Sequence, residues 1–213
     1  MTSGDRAFRL ISEITVEAVG AVRSVDSPPG CAITQPDGET LVAGTDWLLQ
    51  LWACDSSPNT VRAYAMSLLR YLRFLRAVDM AWDHATEVDT RDFVLWAKQA
   101  VKFPGKKTAS KSTGRLNLVT GKKAPGPAYS ASTINHTLSA VSEFYSFQLE
   151  RGRGPVVNPV PAARGARRLA HHNPAEDFDY TRRGALRQKA TPRTPRAIPD
   201  DKFDELFRRL RPP

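Results

Sequence analysis

The residues in this chain best suited to chemistry are cations set among hydroxyl and amide side chains, with no carboxylate near them. Residues 93–142 contain no Asp or Glu, yet hold Lys98, Lys102, Lys106, Lys107, Lys111, Arg115, Lys122 and Lys123. Phosphate contacts need cations that neighbouring acids do not neutralise, so this stretch suits a polyanionic backbone. Its far end opens a helical pattern with Ser130, Ser132, Thr133, Asn135 and His136. Short polar groups at a helix start either cap the helix or join its free amides in holding phosphate. Both roles stay open here. Upstream, residues 57–78 place Arg62, Arg70, Arg73 and Arg76 on one side of a helix, a stripe that is either a solvated face or a polyanion contact. Other chemistries find little support. His171 and His172 stand near Glu176, Asp177 and Asp179 without the matched spacing of a metal site, and Cys31 and Cys54 are too far apart for a redox or zinc motif. The chain has neither a phosphate-cradling glycine loop nor a hydrolase elbow. No metal and no cofactor are expected.

Four helical patterns position these groups. The first begins near Thr45 and buries Trp47, Leu48, Leu51 and Trp52. In the second, Ser57 caps the helix and Pro58 fits its first turn, where a missing N–H costs nothing. Val61, Ala65, Leu68, Leu72 and Leu75 form its apolar face. Asp89 is the expected cap of the third, with the stripe Phe93, Trp96, Ala97, Ala100 and Val101 running towards Pro104-Gly105. The fourth starts at Ser130 or Ser132, spaces Ile134, Leu138, Val141, Tyr145 and Leu149 helically, and stops at Gly152 and Gly154. Four such helices make a small bundle. Residues 1–40 read as an irregular arm: residues 14–19 have the composition of a short strand, while Ser27-Pro28-Pro29-Gly30 and Gln35-Pro36-Asp37-Gly38 are turn chemistry. Residues 102–129 form a long basic insert, and residues 151–196 hold ten arginines and Lys189. A last amphipathic pattern follows Asp200, with Phe203, Leu206, Phe207 and Leu210 on one face.

Bulk properties agree with a nucleic-acid partner. The 213 residues carry a formal charge of +9. Residues 1–40 hold 3 Lys/Arg against 6 Asp/Glu, a net −3, so residues 41–213 carry +12. Asp5, Arg6, Glu13 and Glu17 interrupt any signal peptide, and no apolar run approaches the ~20 residues of a membrane span. A cytoplasmic protein with no membrane partner and no small-molecule substrate is expected.

The pattern Asn59-Thr60, Tyr64, Leu68, Tyr71-Leu72, Phe74-Leu75 resembles the second helix of the core-binding domain of tyrosine recombinases, the phage integrase family. The helix over residues 132–149 and the Asn158-Pro159-Val160 stop resemble that domain's end. The resemblance spans residues 41–160, with a weaker echo at 196–210. It implies a mainly α, SAM-like core-binding bundle of four helices, with an irregular N-terminal arm and a basic C-terminal linker. It also implies that the second and fourth helices face the DNA major groove. Carried over by position, the DNA-binding candidates are Thr60, Arg62 and Tyr64 on the second helix and Ser132, Thr133, Asn135 and His136 on the fourth; Arg73, in the arginine stripe of the second helix, is a further DNA-binding candidate. Lys106, Lys107 and Lys111 in the insert, and Arg164, Arg167 and Arg168 in the linker, are candidate phosphate contacts. The family's catalytic set is missing: no His-x-x-Arg occurs, and no tyrosine follows Tyr180.

The expected organisation is an arm over 1–40, a DNA-binding domain over 41–160, a basic linker over 161–197 and the first helix of a missing catalytic domain over 198–213. Its expected role is site-specific recombination and DNA integration, with double-stranded DNA and further protomers as partners and no catalysis by this chain alone. The alternatives are a stand-alone or naturally truncated DNA-binding regulator and a basic RNA-associated helical protein. Duplex affinity should therefore fall steeply with salt, at a log–log slope of about −4 to −7 for roughly four to eight phosphate contacts. Replacing Lys106, Lys107 and Lys111 with Ala should weaken binding to all sequences alike; fluorescence anisotropy at several salt concentrations measures both, and a preference for RNA would contradict them.

Overall fold

The computed structural model describes residues 9–101, 128–162 and 184–189, together with Phe203, Glu205 and Arg208. Among these, the chain forms strands β1 (Ala21–Ser24) and β2 (Cys31–Thr34), then helices α1 (Val42–Ala53), α2 (Pro58–Ala77), α3 (Glu87–Gln99) and α4 (Ala131–Glu150). Among the described residues the architecture is mainly helical, with one small two-stranded antiparallel sheet. The register pairs Ala21 with Thr34 and Ser24 with Cys31. Gly20 turns the chain into β1 at φ 68°, and a Cβ there would lie 2.6 Å from the Thr34 carbonyl oxygen, so only glycine fits.

Local chemistry sets the helix starts. Ser57 Oγ accepts the Thr60 N–H at 3.2 Å with Pro58 in the first turn, and Ser130 Oγ accepts the Thr133 N–H at 3.2 Å. At α3 the cap is Thr86, not Asp89. Asp89 stands three residues on, and its Oδ2 accepts the Thr86 backbone N–H at 2.8 Å and the Thr86 hydroxyl at 2.7 Å. The helix also ends earlier than its apolar stripe suggests. Ala100 leaves helical geometry, and Val101, 71% exposed, forms an isolated antiparallel bridge with Ala128.

The core lies around α2, which packs against α1, α3, α4 and both strands. Trp47, Tyr71, Phe74, Phe93, Phe144 and Tyr145 are fully buried and meet largely edge to face. In α1, which begins at Val42 rather than Thr45, Leu51 closes the buried stripe and Trp52 stays 39% exposed.

The described part of the irregular arm, residues 9–40, takes part in this packing. All four β2 residues are buried, and Cys31 and Ile33 belong to the core. The strand predicted over residues 14–19 lies instead at 21–24, after Gly20. Arg9 pairs with the buried Asp89 and lies 3.5 Å from Asp92. Arg73 Nε and Nη2 donate to the Val19 and Gly20 carbonyls at 2.6 and 2.8 Å. Among the described residues, no helix is long and apolar enough to cross a membrane, and no His, Cys, Asp and Glu group is arranged to hold a metal. Phe203, Glu205 and Arg208 are helical, in keeping with the pattern after Asp200.

Burial alone would raise the Asp89 carboxyl, but the Thr86 hydrogen bonds and the Arg9 guanidinium outweigh it and hold the group below its ordinary value. A depressed carboxyl stabilises the fold above its unfolded value near 4, and that contribution disappears as pH falls through the folded value. Asp89→Asn should therefore cost about 2–3 kcal/mol at pH 7. The gap to the native chain should narrow as pH falls below the unfolded carboxylate range and through the lower folded value. Urea unfolding across pH checks this, and a gap that persists in acid would contradict it.

Candidate nucleic-acid interface

α2 and α4 meet at a seam made by Tyr64 and His136. The half-buried Tyr64 ring stacks on Trp47, with centroids 6.0 Å apart and planes at 15°, and its other side meets His136 at 5.3 Å and 61°. Trp47 in turn rests edge-on against Phe144, so the exposed seam has a fixed aromatic floor. Burial first, and then the nearby Glu143 charge, raise the Tyr64 phenol above its ordinary value. It is therefore a neutral hydroxyl donor at physiological pH.

Around this seam, Thr60 is exposed on α2, and Ser132 and His136 on α4, with Thr133 half-buried. The Thr60 and Thr133 hydroxyls each lie 2.9 Å from the hydroxyl of their own cap serine. The two helix starts thus carry the same Ser-Thr hydroxyl pair. Arg62, two residues before Tyr64 and so on the other side of α2, is exposed and makes a long contact, Nη1 to Ser24 Oγ at 3.5 Å, on the hairpin side. The seam itself is a surface of hydroxyl and imidazole groups, suited to phosphate oxygens and base edges. It ends at Glu143, whose burial raises its carboxyl and whose negative charge opposes phosphate beyond that point.

The structure assigns other candidates elsewhere. Arg73 is occupied by the Val19 and Gly20 carbonyls; burial lowers its pKa, though a guanidinium keeps its proton under physiological conditions. This committed position sets it apart from the seam. Asn135 is half-buried, and both ends of its amide are engaged: Nδ2 donates to the Gln188 carbonyl at 2.9 Å, and Oδ1 accepts the Gln188 N–H at 2.7 Å. An adenine edge would need the same two atoms. Lys106, Lys107, Lys111, Arg164, Arg167 and Arg168 lie outside the described residues.

One contributor was not singled out from the sequence. Arg70 Nη1 donates to Thr137 Oγ1 at 2.7 Å and lies 5.1 Å over the Tyr129 ring, tying α2 to the start of α4. Thr137 passes its own hydroxyl proton to the Thr133 carbonyl at 3.0 Å. The stripe spacing of Arg70 was visible in the sequence, but its partners, more than fifty residues away, were not.

Residues 45–116 match the family described as phage integrase, N-terminal SAM-like domain. The match takes in most of α1 and all of α2 and α3, while α4 lies beyond it. No curated protein and no solved structure gives a match.

Proposed function

We propose, from the match of residues 45–116 to the phage integrase N-terminal SAM-like domain, that this chain is the duplex-DNA-binding, core-binding part of a site-specific tyrosine recombinase. The observation that carries the reading is that the matched segment contains α2, whose start exposes Thr60 and Arg62 and whose Tyr64 meets His136 of α4. A neutral phenol and an imidazole packed against an aromatic floor form a pre-ordered surface, and such a surface loses little entropy when it meets DNA. The +12 charge of residues 41–213 draws that surface to the polyanion.

In this role Arg62 reads bases. Guanidinium donors suit the paired acceptors of guanine in the major groove, worth about 1–3 kcal/mol of discrimination. Tyr64, Ser132, Thr133 and His136 position the duplex through its backbone. Breaking and rejoining strands belongs to a catalytic domain, because neither a His-x-x-Arg nor a tyrosine beyond Tyr180 is present in this chain to do it. Further protomers on paired half-sites complete the assembly.

Selection of preferred duplexes from a random pool, with the native chain and with Arg62→Ala, tests the reading. The native chain should enrich a defined site, and Arg62→Ala should relax it at one or two positions while the rest persists. An enriched site left unchanged by Arg62→Ala would assign this residue to the backbone. Absence of any enriched site, or enrichment of RNA in a parallel pool, would contradict the proposal itself.

A further inference from the structure

Residues 184–189 come back to the helical unit and lie along α4. Gln188 exchanges two hydrogen bonds with the Asn135 amide, at 2.7 and 2.9 Å, as one strand would with another. Ala185 donates its N–H to the Pro161 carbonyl at 3.1 Å, Leu186 packs against the core, and Gln188 Nε2 closes on the Leu186 carbonyl at 2.6 Å. Arg187 and Leu186 share one groove with Leu138, Ser142, Glu143 and Asn158. Asn158 fixes the far wall of that groove, donating to the Ser142 carbonyl at 2.9 Å and accepting the Val160 N–H at 3.0 Å.

The charges on the two pieces are complementary. α4 carries Glu143 and Glu150 and no Lys or Arg, which is a poor balance for a helix beside phosphates. Residues 184–189 carry Arg187 and Lys189, both exposed, and no acid. We propose that residues 184–189 are a strap latched to α4 by Asn135, and that Arg187 and Lys189 on it supply the phosphate-binding charge that α4 lacks. This rests on the duplex-DNA reading above. It makes Asn135 a positioning residue, acting through the strap, in place of a base reader.

The test uses the full chain and separates latch from charge. Asn135→Ala removes both hydrogen bonds without changing charge, and Gln188→Pro removes the strap's N–H from the opposite side, so either variant serves if the other fails to fold. Arg187→Gln with Lys189→Gln removes the charge and leaves the latch. Hydrogen exchange at the Ala185 N–H, and trypsin cleavage after Lys189, should accelerate for both latch variants, while Ala185 exchange in the double Gln variant should stay slow. All three should lose about three- to tenfold in affinity on every duplex alike, and the double Gln variant should have a salt slope shallower by about 1–2. Unchanged exchange in both latch variants, or a released strap with equal or tighter DNA binding, would overturn the proposal. A failure of the underlying reading has a different signature, since the native chain would then bind no duplex at all.

Discussion

The burial of Tyr71 in the middle of α2 is the constraint on which the rest depends. Its ring meets Phe93 of α3 and Tyr145 of α4 edge-on, and its hydroxyl lies 3.0 Å from Thr90 Oγ1. Tyr145 in turn donates to the Trp82 carbonyl at 2.8 Å. Buried hydroxyls without partners would be costly, so these bonds specify one arrangement of three helices. Burial drives both phenols far above their ordinary range, and they stay neutral. Tyr64 lies two helical turns before Tyr71 and so shares its side of α2. Once Tyr71 is seated between α3 and α4, Tyr64 has to emerge where α2 meets α4, against His136. The core tyrosine thereby places the surface one.

This dependence explains what the sequence made legible. Periodicity reports which side of a helix a residue occupies, and it located the buried stripe of α2; the Ser57 cap was legible too, while Ser130 and Ser132 both fitted the start of α4, which Ser130 caps. It does not report what arrives on that side. Arg62, Arg70 and Arg73 read as one stripe, yet tertiary packing divides them among solvent, Thr137 with Tyr129, and the Val19 and Gly20 carbonyls. Asn135 reads as an exposed amide in the first turns of α4, and its partner lies fifty-three residues away. The shift of the α3 cap has a local cause: Thr86 and Asp89 are both capping types three residues apart, and the pattern fits either one as cap. The hairpin escaped notice because β2 is buried at all four positions, which removes the alternation that marks a strand.

The candidate interface gains its character from the same economy. Its aromatic floor is core, its hydroxyls double as helix caps, and Arg62 stands across α2 from it, beside the hairpin that Arg73 anchors. The fold-forming residues of the matched segment and the DNA-facing residues proposed for it are thus largely neighbours on the same helix turns. Substitutions in the hairpin should be felt at the seam through α2, although no hairpin residue is a candidate contact.

The most direct measurement of the central claim is an NMR titration of the full chain with its selected duplex, following the ring signals of His136 and Tyr64 and the backbone amides of α2 and α4. The expected result is that both rings and the amides around Thr60, Arg62, Ser132 and Thr133 shift together and saturate with the duplex. Shifts confined to α3 or to the hairpin, with both rings unmoved at saturation, would contradict the assignment of the α2–α4 seam as the DNA-binding face.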